Sequence, residues 1–157
     1  PDMTVIRQWL LQIDQQPVFP FAVSIVAYAL IAAAFTLFFG GNWMDALTAL
    51  FCGALIRSAI YAMTRFQTNP FFIQLTASAI AATAAFIAVR SGLAIHMDKI
   101  IIGTLMNLVP GVAITTSIQD TIAGDLIAGL TKMAEALLTA TAIALGSGIA
   151  LALLQQI

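Results

Sequence analysis

The chain has 157 residues, of which 61% are hydrophobic and only 8% charged, with a mean hydropathy of +1.01; these values exclude a soluble globular domain and imply an integral membrane protein. Six Lys and Arg against seven Asp and Glu leave a net charge of −1, so there is no basic surface for nucleic acid. The single cysteine, Cys52, excludes an internal disulfide and a thiolate metal cluster.

The chain opens with "PDMTVIRQWLLQIDQQP", in which Met3, Ile6, Trp9, Leu10 and Ile13 recur at helical spacing. Residues 1–16 are therefore expected to form an amphipathic or linker helix that follows a preceding N-terminal domain, and residues 17–157 a membrane domain. Val18 to Phe39 contains no charged residue, and at ~1.5 Å per residue it is ~30 Å long, enough for a first span. Gly40 to Asn42 reads as a tight turn. Trp43 to Met63 follows as a second span, with Trp43, like Trp9, an interface anchor. Asn69-Pro70 opens a third span, Phe71 to Val89, whose Ala77, Ala81, Ala84, Ala85 and Ala88 form a face small enough for close helix contact.

The loop "RSGLAIHMDK" leads into a fourth apolar run, Ile100 to Ile118, with Asn107 and Pro110-Gly111 at its middle. Thr121 to Leu154 is long enough to divide into a short amphipathic piece up to about Thr131 and a full span from Met133 to Leu154, with Gly146-Ser147-Gly148 as a close packing point. The expected fold is all-α, with about five transmembrane helices and a Pro-Gly broken fourth helix. Five crossings place the two ends on opposite sides, so a second copy of the unit would insert upside down, as in inverted-repeat transporters. With the N-terminus inside, the cytoplasmic segments hold Arg7, Arg57, Arg65 and Lys132 against Arg90 and Lys99 outside, a bias toward N-in.

Chemistry concentrates in the fourth run and just after it. Proline within a spanning helix frees a carbonyl, and such a freed group is tolerated only against protein or a watery cavity. A plain proline kink is the simpler reading. Yet Asn107, Thr115, Thr116, Ser117 and Asp120 lie within roughly three turns of the break, and an intramembrane carboxylate usually serves a pathway or finds a partner. Asp120 and Asp125 could also simply mark a turn and cap the next helix. Against that, Asp125, Lys132 and Glu135 are spaced close to one helical face beside Gly124, Ala128 and Gly129, a row suited to a polar site between helices. Arg57, about fourteen residues into the second span, is expected to snorkel toward the cytoplasmic edge, with pairing to a carboxylate as the alternative. His96 stands alone in its loop beside Asp98 and makes no metal site.

The stretch "LVPGVAITTSIQDTIAGDLIAGLTKMAEALL", Leu108 to Leu138, resembles the signature of the threonine/serine exporter (ThrE) family, in particular its N-terminal half or the separate YjjP-like subunit that supplies it. The shared features are L-V-P-G, an Asp ten residues after the proline, G-D, and a basic residue followed by E-A; the five-span layout extends the likeness over essentially the whole chain. Lys132 departs from the arginine common in relatives, and an ammonium lacks the bidentate fork.

The resemblance implies a secondary transporter of the bacterial inner membrane, N-terminus cytoplasmic, that exports threonine and serine on the proton motive force without a cofactor. It also implies a partner, either a second five-span subunit (YjjB-like) or another copy of the chain. Some split pairs in the family are associated with dicarboxylate export, which makes a succinate exporter the alternative. On this reading Asn107, Pro110, Gly111, Thr115, Thr116, Asp120 and Asp125 contact substrate, while Asp125, Lys132 and Glu135 carry proton coupling or an ion pair. An intramembrane aspartyl protease would need a tyrosine-aspartate partner for "AGD" at 123–125, which the sequence lacks. A structural or regulatory membrane subunit is the remaining rival.

Overall fold

The computed structural model describes residues 20–156; the amphipathic segment expected over residues 1–16 and the first residues of span one lie outside them. Six helices follow in order: α1 (Phe21–Phe38), α2 (Trp43–Arg65), α3 (Pro70–Arg90), α4 (Met97–Leu105), α5 (Gly111–Ile122) and α6 (Leu126–Leu154). Of these, α1, α2, α3 and α6 are long and apolar enough to cross a membrane, with mean hydropathies of 2.3, 1.6, 1.9 and 2.1.

Local chemistry sets the helix ends. Gly40 takes φ +85 in the turn after α1, a conformation that costs glycine little. Asn42 and Asp45 then close a reciprocal capping box on α2, with Asp45 N–H donating to Asn42 Oδ1 at 2.9 Å and Asn42 N–H to Asp45 Oδ2 at 3.0 Å. Asn69 caps α3 through the Phe71 N–H at 2.9 Å, and Pro70 occupies the first helical position, where no donor is needed.

The fourth expected span, Ile100 to Ile118, is not one helix. α4 ends at Leu105 and α5 starts at Gly111, because Pro110 has no N–H to give back to the helix before it. The division of the last region falls elsewhere than expected. No break occurs near Thr131; α6 runs unbroken for 29 residues, and the turn lies at Ala123–Asp125, with Gly124 at φ +95. Gly129 serves close approach instead, since a Cβ there would lie 2.2 Å from Thr121 Oγ1.

Alanines carry the packing. Ala77, Ala81, Ala82, Ala85 and Ala88 of α3 are buried, while Ala84 sits at the edge of that face. They meet Ala49, Cys52 and Ile56 of α2, Ile100 and Ile101 of α4, and Ile143 of α6 in two contiguous clusters. Gly146 lies directly against α3, and Ala79 and Thr83 lie along Ala150 and Leu153 further up, so α6 runs parallel to α3. Large side chains such as Phe51, Leu55, Ile87 and Leu145 point outward, as lipid contact requires.

This parallel pairing sets the path of the chain between α3 and α6. α3 ends on the far face, the one bearing the α1–α2 turn, and α6 starts on the near side, well beyond the start of α3, since Gly146 lies twenty residues into α6 and meets Leu75 only five residues into α3. The chain must therefore return between them, which it does as α4 plus α5. Four single helices are thus long and apolar enough to cross, and the broken α4–α5 pair carries the chain back between α3 and α6. At nine residues α4 is only ~13 Å long, and it packs on α1, α2 and α3, whereas α5 packs along α6 and makes no comparable contact with α1 to α4.

Candidate functional site

α4 ends inside the bundle. Leu108, just past it, is buried with Ile56, Ala77, Ala81 and Ile143, and Tyr28 packs on the same cluster. Tyr28 is the eighth of the 18 residues of α1, so the break lies ~10 Å in from the near end of that helix. Asn107 fastens it there: its Nδ2 donates to the Tyr28 carbonyl at 3.1 Å and to the Thr104 carbonyl at 3.4 Å. A side-chain amide thus satisfies a carbonyl at the frayed end of α4 and ties that end to α1. Pro110 precedes α5 without capping it, and the Gly111 N–H closes a tight turn on the Val109 carbonyl at 2.9 Å.

The hydroxyls of α5 bond back to their own helix. Thr115 Oγ1 donates to the Val112 carbonyl at 2.9 Å, and Thr116 Oγ1 donates to the same carbonyl at 2.9 Å. Their acceptor lone pairs stay available, and Thr115 is exposed. Ser117 is fully buried against α6, with its Oγ on the Ile114 carbonyl at 2.7 Å and Met133 Sδ at 3.9 Å.

The acidic residues divide into separate roles. Asp120, near the end of α5, pairs with Lys132 of α6 at 2.5 Å. Asp125 stands at the N-cap of α6, where its Oδ1 accepts the Ala128 N–H at 3.0 Å. The row expected from Asp125, Lys132 and Glu135 therefore does not assemble: Lys132 turns to Asp120 across the α5–α6 turn, and Glu135 is exposed and outside every ion pair among the described residues.

His96 is not the isolated loop residue that the sequence suggested. Its Nδ1 lies 2.8 Å from Oδ2 of Asp45, a fully buried carboxylate in the first turn of α2. Asp45 Oδ1 also accepts the N–H groups of Ile95 and His96, at 2.8 and 3.1 Å. With the Asn42 N–H on Oδ2, Asp45 holds the α1–α2 turn against the α3–α4 loop. Sequence reasoning overlooked it, although Asn42 followed by Asp45 three residues later is a recognisable cap pattern.

Arg57 is half-buried. Its guanidinium carbon lies 5.4 Å from the centroid of the Tyr28 ring, in cation–π range, on the same tyrosine whose carbonyl receives Asn107. Three half-buried polar side chains, Tyr28, Arg57 and Asn107, thus meet where α4 stops.

A family model described as "Putative threonine/serine exporter" (ThrE) matches residues 2–154. The chain belongs to the threonine/serine exporter family. Searches of curated proteins and of solved structures return no match to it. Within this exporter family member, the motif from Leu108 to Leu138 corresponds to the helix break, the whole of α5 and the first half of α6. Groups of three or more metal-ligating side chains are absent among the described residues.

Proposed function

We propose that this chain is one half of a secondary transporter that exports threonine and serine from the cytoplasm of a bacterium, driven by the proton motive force. The observation that carries this reading is the fourth crossing, broken at Asn107–Pro110 in the interior of a threonine/serine exporter family member. Half-helices that meet inside a bilayer offer unpaired backbone groups to a substrate without requiring an open sheet edge or loop in lipid.

In this mechanism substrate enters from the near face, which is cytoplasmic, and passes the break. The first amides of α5 present the positive end of a helix to the substrate carboxylate. Thr115 and Thr116 offer lone pairs to its hydroxyl. Asp120, paired with Lys132, and Glu135 nearby are the candidates for proton coupling: protonation of Asp120 frees Lys132 and loosens α5 from α6. Asp125 contributes the cap that starts α6. A second five-span unit in inverted orientation, either a separate YjjB-like subunit or another copy, completes the path.

The experiment is efflux of labelled threonine, serine and succinate from proteoliposomes that hold the full-length protein and any partner it requires, with and without a pH gradient. Gradient-dependent loss of threonine and serine, reduced at least tenfold by Asp120→Asn, is expected. Movement of succinate alone would reassign the substrate to dicarboxylates, and movement of none of the three would make the chain a structural subunit.

A further inference from the structure

Two side-chain atoms among the described residues are buried without any hydrogen-bond partner, Arg57 Nε and Gln74 Oε1. One is a donor and the other an acceptor, and they do not satisfy each other. The two residues themselves are half-buried. Arg57 follows Ile56, which is buried against Ala77 and Ala81 of α3; Gln74 lies three residues before Ala77, on that same face of α3. The pair therefore occupies facing helices at neighbouring depth, beside Tyr28 and the end of α4.

Arg57 is an unusual residue for this position. It is eight residues, or ~12 Å, from the near end of α2 and fourteen, or ~21 Å, from the far end. Its head lies on the ring of the half-buried Tyr28, and the three ion pairs among the described residues exclude it. A guanidinium at such depth is retained where it meets a carboxylate or serves a pathway. An orphaned acceptor nearby calls equally for a donor.

From this we infer that Arg57 and Gln74 form the receptor for the head group of a zwitterionic α-amino acid. The carboxylate lies on the guanidinium fork of Arg57, which is held flat by Tyr28, and the α-ammonium donates to Gln74 Oε1. The inference rests on the exporter reading and adds to it the residues that hold the two charged termini of the substrate. The α5 amides attract the carboxylate along the path, and Arg57 makes the directed bond, for which a planar fork is suited and an ammonium is not.

The test measures thermal unfolding shifts of the full-length protein, with any partner it requires, on adding threonine, threoninamide (no carboxylate) or N-acetylthreonine (no ammonium), alongside threonine efflux. Wild type is expected to bind threonine at least tenfold more tightly than either analogue. Arg57→Gln removes that preference over threoninamide, Gln74→Leu removes the preference over N-acetylthreonine, and Arg57→Lys recovers only part of the affinity. If Arg57→Gln and Gln74→Leu bind and export threonine as wild type does, the inference is overturned while the exporter reading stands. An Arg57→Gln protein that no longer assembles, or that loses threonine and threoninamide alike, assigns the carboxylate on Arg57 to a protein side chain and also overturns it. A wild type that neither binds nor exports any amino acid removes the exporter reading itself.

Discussion

Asp45 shows how one side chain can join parts of the chain far apart in sequence. Its carboxylate takes N–H groups from Asn42, Ile95 and His96 and meets the His96 ring, all from a fully buried position. Asp45→Ala would strand three backbone donors and is expected to cost on the order of 3 kcal/mol or more, whereas His96→Ala leaves those donors paired and costs about 1 kcal/mol. Thermal or denaturant unfolding of the purified protein in detergent checks the order; an equal loss from both substitutions would mean that the ring, and not the backbone donors, carries the contact. At this scale the sequence was partly legible. Asn107, Asp120 and Lys132 could be singled out because polar groups are scarce in an apolar run, but their partners could not. Lys132 lies seven residues from Asp125 and twelve from Asp120, and only the turn at Gly124 decides that it faces the latter.

Helices were easier to read than the pairs between them. The long apolar runs predicted α1, α2 and α3 to within a few residues, and Pro110 predicted the break, because both signals are local. The unbroken α6 was not legible: Gly129 and Thr131 look like a weak point until α5 is seen lying against Gly129. Close approach also separates the two glycines of Gly146-Ser147-Gly148. A Cβ on Gly146 would lie 2.0 Å from the Leu75 carbonyl oxygen and 2.2 Å from Ser78 Oγ, while one on Gly148 would have nothing within 4 Å. Gly146→Ala is therefore expected to force α6 from α3 and destabilise the protein by about 1–3 kcal/mol, and Gly148→Ala to be neutral or slightly stabilising. Unfolding of the two variants side by side checks this, and equal stability would place the α3–α6 contact elsewhere.

For the whole molecule, composition alone indicated a membrane protein, and of the five crossings expected four are single helices long and apolar enough to span, with α3 and α6 parallel and the broken α4–α5 pair between them. That topology has a direct consequence. In a Cys52→Ala background, cysteines at Gln67 and Ala123 should react with a membrane-impermeant maleimide from one side, and cysteines at Ser91 and Gln155 from the other; all four positions are exposed. Labelling of Ala123 and Ser91 from the same side would contradict the crossing by α4 and α5. Side-chain partners were the part least available from sequence, since nothing local in the second span pairs Arg57 with the Tyr28 ring of α1.

The central claim is that substrate moves past the broken fourth crossing, and the most direct test is threonine efflux by the Asn107→Leu protein. Leucine keeps the volume but releases the end of α4 from the Tyr28 carbonyl. The account predicts at least a tenfold slower gradient-driven efflux from a variant that still assembles and inserts; efflux at the wild-type rate would contradict it.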